Sequence, residues 1–103
     1  MAKVLVIEDD AETAEQIVAE LGRHGFAVDR EAAGLGGLER ASTGYYDVIT
    51  LDRRLPELDG LVIVERLRQA GVRTPVLLLS ALGEVEDRVR GLRAGGEDRK
   101  SVV

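Results

Sequence analysis

The chain has 103 residues, 45% of them apolar and 32% charged, with no cysteine. That bounds it to one small domain of ordinary globular composition and excludes disulfides, zinc–thiolate sites and thiol catalysis. A net charge of −5 and a pI of about 4.9 argue against this domain gripping nucleic acid or an anionic membrane through its own surface.

Aromatic residues are only 3% of the chain, so the core is expected to be aliphatic. No apolar run approaches the roughly 20 residues needed to span a bilayer. The opening Met1-Ala2-Lys3 leads into an apolar stretch too short for a signal-peptide core. A cytoplasmic protein is expected.

Val4-Leu5-Val6-Ile7 is a run of mostly β-branched apolar residues without polar alternation, the pattern of a strand buried on both faces of a parallel sheet. Ala14, Ile17, Val18 and Leu21 follow at helical spacing, with Asp10 placed to cap the start and Gly22 and Gly25 near the end. Phe26 to Glu31 reads as a second strand, and the polar Asp29 and Arg30 place it at a sheet edge. Leu35, Leu38 and Ala41 suggest a short second helix, weakened by Gly34, Gly36 and Gly37.

Asp47 to Leu51 is a third strand of internal character. Asp59-Gly60 opens a third helix with Val64 and Leu67 inward and Gly71 at its end. Thr74-Pro75 leads into a fourth buried strand, Val76-Leu77-Leu78-Leu79. Val85, Val89 and Leu92 then predict a fourth helix closed by Gly95-Gly96.

Strands that alternate with helices imply right-handed crossovers and a mostly parallel sheet covered on both faces, an α/β doubly wound fold. In such sheets functional residues gather at the carboxyl ends of the strands. Strand one ends in Glu8-Asp9-Asp10 and strand three in Asp52. If these strands are neighbours, several carboxylates converge, and like charges that close raise one another's pKa. A hard divalent cation resolves the conflict, and Mg²⁺ suits a site of few carboxylates and several waters. Glu8 and Asp9 alone would read as solvated loop acids; their coincidence with Asp52 favours a site. Asp10 reads as a helix cap.

Four segments carry a family likeness: VLVIEDD (Val4–Asp10), VITLDRRLPELDGL (Val48–Leu61), TPVLLLSA (Thr74–Ala81) and VEDRVRGLRAG (Val85–Gly95). In order and spacing they resemble the response-regulator receiver family of two-component signalling, over nearly the whole chain up to about Glu97. The resemblance implies a flavodoxin-like sheet of strand order 2-1-3-4(-5). It implies that Asp52 is the phosphoacceptor, that Asp9 binds Mg²⁺ directly, and that Glu8 holds it through water. The backbone carbonyl of Arg54 matches the remaining protein ligand of the metal. Ser80 matches the hydroxyl that bonds the phosphoryl group, and Ala81 the small residue that leaves it room.

The chemistry agrees with these roles. A carboxylate can attack a phosphohistidine phosphorus in line, giving an aspartyl phosphate, while the site positions groups and neutralises charge. By position alone Ser80 is equally well read as an ordinary strand-end hydroxyl, and Arg53 and Arg54 as solvated loop charges. Pro56 reads as a turn former, and His24, the one histidine, as an exposed residue near a helix end.

The likeness fails at the end. Past Gly95-Gly96 the family continues with an aromatic, an apolar strand and Lys-Pro, where this chain reads Glu97-Asp98-Arg99-Lys100-Ser101-Val102-Val103. Arg99 stands in the aromatic's place and Val102 in that of the lysine that pairs with the phosphoryl group. The receiver is therefore expected over residues 1–97, with its fifth strand and fifth helix missing or reduced to a stub. Residues 98–103 form a tail foreign to the family. Their sequence is also the translation of a common sequencing-adapter end (GATCGGAAGAGCGTCGTG), which raises the expectation of an assembly artefact or a truncated reading frame. A bare edge on strand four, marginal folding and poor phosphorylation are expected to follow.

The implied function is acceptance of phosphate from a sensor histidine kinase to control an output domain absent from this chain. The Glu-Asp-Asp and Leu-Pro-x-Leu-Asp-Gly-Leu segments resemble the subfamily fused to a winged-helix DNA-binding domain, and a homodimer on phosphorylation is expected of the intact protein. The first alternative is an inactive truncated receiver acting only as an interaction module. An Asp-nucleophile, Mg²⁺-dependent phosphatase is less favoured, because Glu8-Asp9-Asp10 lacks the Asp-x-Asp spacing after strand one. A flavin-binding domain of the same fold is disfavoured because acids there would repel phosphate.

Overall fold

The computed structural model describes residues 1–53, 55, 58–79 and, as backbone, 100–102. The elements run β1 (Lys3–Ile7), α1 (Ala11–Arg23), β2 (Ala27–Glu31), α2 (Gly34–Ala41), β3 (Val48–Asp52), α3 (Gly60–Gln69), β4 (Val76–Leu79) and β5 (Lys100–Val102). The fourth helix expected over Val85, Val89 and Leu92 lies outside the described residues.

One sheet has the order β2-β1-β3-β4-β5, and its first four strands are parallel. β1 and β4 are buried end to end apart from Lys3, as continuous apolar runs require. β2 is the half-buried edge expected from Asp29 and Arg30. The two sheet faces build two apolar clusters. Leu5, Ile7, Ile49 and Leu51 join Ile63 and Leu67 of α3, whereas Val4 and Val6 join Ile17 and Leu21 of α1. This split is the two-residue alternation of a strand written into a two-faced core. Among the described residues no helix is long and apolar enough to cross a membrane.

β5 is the stub foreseen, but the edge of β4 is not bare. Leu77, Leu78 and Leu79 pair antiparallel with Val102, Ser101 and Lys100. Such pairing needs only main-chain N–H and C=O groups, so a three-residue segment without the family's sequence can satisfy it.

α2 departs from its apolar spacing. Leu35 is 56% exposed, while Gly34, Gly37 and Ala41 are buried and Leu38 packs against the core. Gly34 and Gly37 also serve as contact surface. A Cβ on Gly37 would stand 2.6 Å from Ile7 Cδ1, 2.8 Å from Cγ1 and 2.9 Å from Cγ2. Gly37→Ala is therefore expected to lose stability, although alanine improves helix propensity by about 1 kcal/mol. Forcing a methyl into that packing costs about 1–3 kcal/mol, and Ile7 is pinned in a strand paired on both sides. Gly36→Ala is the control, since its Cβ would meet only the movable Glu31 carboxylate. Thermal melts should rank Gly36→Ala above the parent and Gly37→Ala below it; the reverse order would mean Ile7 yields.

Thr50, beside Val6 in register, is 2% exposed, and its hydroxyl has no hydrogen-bond partner among the described residues. An unpartnered buried hydroxyl costs about 1–3 kcal/mol. Thr50→Val keeps the shape and removes the polar group, so the melting temperature should rise by about 4–8 °C per kcal/mol recovered. A fall on melting would show that the hydroxyl is satisfied in solution.

Candidate functional site

The register brings the two acid-bearing strand ends side by side. Ile7 pairs with Leu51, so Glu8 and Asp52 are the next residues out on adjacent parallel strands. One carboxylate oxygen from each of Glu8, Asp9 and Asp52 lies within 4.8 Å of one from each of the others. Two unit charges about 4 Å apart repel by about 4 kcal/mol at an effective dielectric of about 20. Three such groups are a hard-oxygen donor set suited to a divalent cation.

The three are held differently. Glu8 is only 4% exposed; its N–H donates to the Glu31 carbonyl at 3.0 Å and its Oε2 accepts from the Asp10 N–H at 3.2 Å. Asp9 is exposed, and Asp52 is half-buried at the end of β3. Asp10 is the cap its position suggested. Its Oδ2 accepts from the Thr13 hydroxyl at 2.5 Å and the Thr13 N–H at 2.8 Å. The Thr13 hydroxyl first, then its N–H, hold the Asp10 carboxyl below its usual range, with a smaller pull from Arg30. The Asp10 carboxylate thus serves the helix, outside the trio, while its N–H helps hold Glu8.

α3 begins close beside the end of β3. The Gly60 N–H donates to the Arg53 carbonyl at 3.0 Å, and a Cβ on Gly60 would lie 3.0 Å from Arg53 Cα and 3.1 Å from the Asp52 carbonyl oxygen. Only a residue without a side chain lets α3 start this close beneath the site. Asp59 caps that helix by accepting from the Leu61 N–H at 2.8 Å, and Leu55 is buried in the core between them. Arg54, Ser80 and Ala81, the other expected site residues, lie outside the described residues.

From sequence alone Arg30 reads only as an edge-strand polar residue. Its Nη2 donates to the Glu8 carbonyl at 3.0 Å and reaches the Asp9 carbonyl at 3.4 Å, and its Nε donates to the Glu8 carbonyl at 3.3 Å. The available signal was an arginine near the end of a strand that pairs with the acid-bearing one.

A flavodoxin-like parallel sheet with a carboxylate trio at the ends of two adjacent strands is an α/β protein with a cation-ready site at its carboxyl edge. The chain belongs to the response regulator receiver domain family, whose model matches residues 4–99. That family is one of signalling rather than catalysis. The transcriptional regulatory protein CusR of Escherichia coli K12 is 46% identical over 96 residues, covering 93% of this chain and 42% of CusR. The chain thus spans less than half the length of the curated relatives it matches. The receiver domain of the Francisella response regulator 1452 superposes with a TM-score of 0.75 at 36% identity, over 95% of this chain and 81% of that one. A chain from the crystal structure of histidine kinase ThkA in complex with response regulator protein TrrA matches with a TM-score of 0.73 at 27% identity, over 82% of this chain and 72% of that one.

Proposed function

We propose that Asp52 accepts a phosphoryl group from a sensor histidine kinase, with Mg²⁺ held by Glu8, Asp9, Asp52 and the carbonyl of Arg54. The observation that carries this reading is the convergence of the three carboxylates within 4.8 Å, two from β1's end and one from β3's. Asp52 supplies the nucleophile. A bond forms from its carboxylate oxygen to phosphorus as the phosphorus–nitrogen bond of the kinase phosphohistidine breaks, the electron pair leaving with the imidazole. Mg²⁺, when bound, would neutralise charge on the equatorial oxygens. Ser80 donates a hydrogen bond to the phosphoryl group, and Ala81 leaves room for it.

The kinase partner is supported by the ThkA–TrrA complex, and a DNA-binding output domain by relatives such as CusR. With a net charge of −5, nucleic acid contact is left to that output domain. A cytoplasmic setting and a phosphorylation-dependent homodimer of the intact protein belong to the same reading. Family-like sequence is assigned to residues 1–97 and a tail foreign in sequence to 98–103, of which 100–102 nevertheless pair with β4 as β5; sequencing the source gene across codon 97 tests whether that tail is native.

The chain incubated with acetyl phosphate and Mg²⁺ should gain one phosphoryl group by intact mass. Uptake is expected to be slow, because Val102 stands where the family has its lysine. Many turnovers of donor without a stable adduct would favour a phosphatase, and a folded chain that takes up nothing would be an interaction module only.

A further inference from the structure

The β2 face turned toward α1 ends in a residue that the carboxylates alone do not explain. Val28 packs with Val4, Val6, Ile17 and Leu21, and strand alternation puts Arg30 on that same face. Arg30 pairs in register with Val6. From there its guanidinium reaches past Ile7 to the end of β1, where its hydrogen bonds go to the main-chain carbonyls of Glu8 and Asp9. Two of the three acid residues therefore have their backbone tied to one side chain from the neighbouring strand.

We infer that Arg30 is a positioning residue for cation binding: its planar fork holds the β1–α1 turn so that the Glu8 and Asp9 carboxylates converge on Asp52. This rests on the reading of the trio as the Mg²⁺ site. Glu8 is anchored on three sides, by Glu31 at its N–H, by Asp10 at its carboxylate and by Arg30 at its carbonyl. Exposed Asp9 has its carbonyl in reach of the same Nη2. Lysine cannot reproduce this, because an ammonium is a point donor whereas guanidinium presents several N–H groups in a fixed plane.

Position and charge act on Mg²⁺ affinity with opposite signs. A cation beside a cation site, acting only through its charge, weakens Mg²⁺ binding, so its removal would tighten binding. Acting through position, its removal loosens the donor set and weakens binding.

The test is a Mg²⁺ titration, followed by amide chemical shifts, of the full 103-residue chain and of Arg30→Met, Arg30→Lys and Arg40→Gln. Arg40 pairs with Glu31 at 2.8 Å, using the opposite face of the same strand. Arg30→Met should raise the Mg²⁺ Kd by about tenfold or more, the range found when a group behind a metal ligand is lost. Arg30→Lys should recover part of that loss, and Arg40→Gln should leave Kd unchanged.

An unchanged or lower Kd for Arg30→Met overturns the positioning role, as does an equal loss in Arg40→Gln. If Arg30→Met does not fold, the comparison of Arg30→Lys with the parent decides, and equal Kd values overturn the role. A parent chain that gives no Mg²⁺ response defeats the reading of the acid trio itself. A parent that binds while Arg30→Met binds equally well defeats the arginine's role alone.

Discussion

Asp52→Asn should abolish the single phosphoryl adduct formed from acetyl phosphate and Mg²⁺. Asparagine keeps the size and much of the hydrogen-bonding capacity of the side chain but lacks a carboxylate to attack phosphorus. The effect is all-or-none. The variant should also stay folded, because Asp52 sits at the edge of the core, and removing one of three clustered charges relieves repulsion. A cooperative melt at or above the parent's temperature, together with an unmodified intact mass, is the expected pair of results. An adduct retained at full stoichiometry would move the acceptor away from Asp52. A lost adduct accompanied by a lost melt would mean that the residue supports the fold instead.

Asp9→Asn should weaken Mg²⁺ binding and phosphorylation together. Glu8 is nearly buried with one oxygen already taken by the Asp10 N–H, which leaves Asp9, exposed at the rim, as the better-placed β1 acid for direct contact with a cation. Losing even a group behind a metal ligand costs about 10–100-fold in affinity, so losing a charged ligand should raise Kd by more than about tenfold. Phosphorylation at low Mg²⁺ should fall in step and recover partly as Mg²⁺ is raised. Asp10→Asn is the matched control. It removes the same charge one residue on, yet asparagine still caps α1, and the Asp10 carboxylate is engaged by Thr13 outside the trio. Unchanged Mg²⁺ affinity in Asp9→Asn, or an equal loss in Asp10→Asn, would remove Asp9 from the ligand set.

β1 and β4 were legible because each carries a short unbroken apolar run, and β3 because Thr50 alone interrupts one, the pattern of a strand covered on both faces. Asp10 and Asp59 announced two helix starts because an acid just ahead of an apolar period is a local signal needing no distant partner. The acid trio was legible for a topological reason: in a parallel doubly wound sheet the carboxyl ends of adjacent strands come to the same edge. α2 was read less well. Leu35 followed the helical spacing yet faces solvent, since the helix seats itself on Ile7 through Gly37, a contact that counting apolar residues cannot see.

By itself, then, the sequence determined the alternation of strands and helices, the internal strands, the caps and the three carboxylates, all of which are local patterns or follow from strand parity. Only the tertiary structure decided that the two acid-bearing ends stand in one register and that a residue 22 positions away ties down the Glu8 backbone. It also decided that β5 runs antiparallel along β4 and that a glycine rather than a leucine faces β1. These depend on distances between segments far apart in the chain, and close packing sets such distances through every neighbour at once.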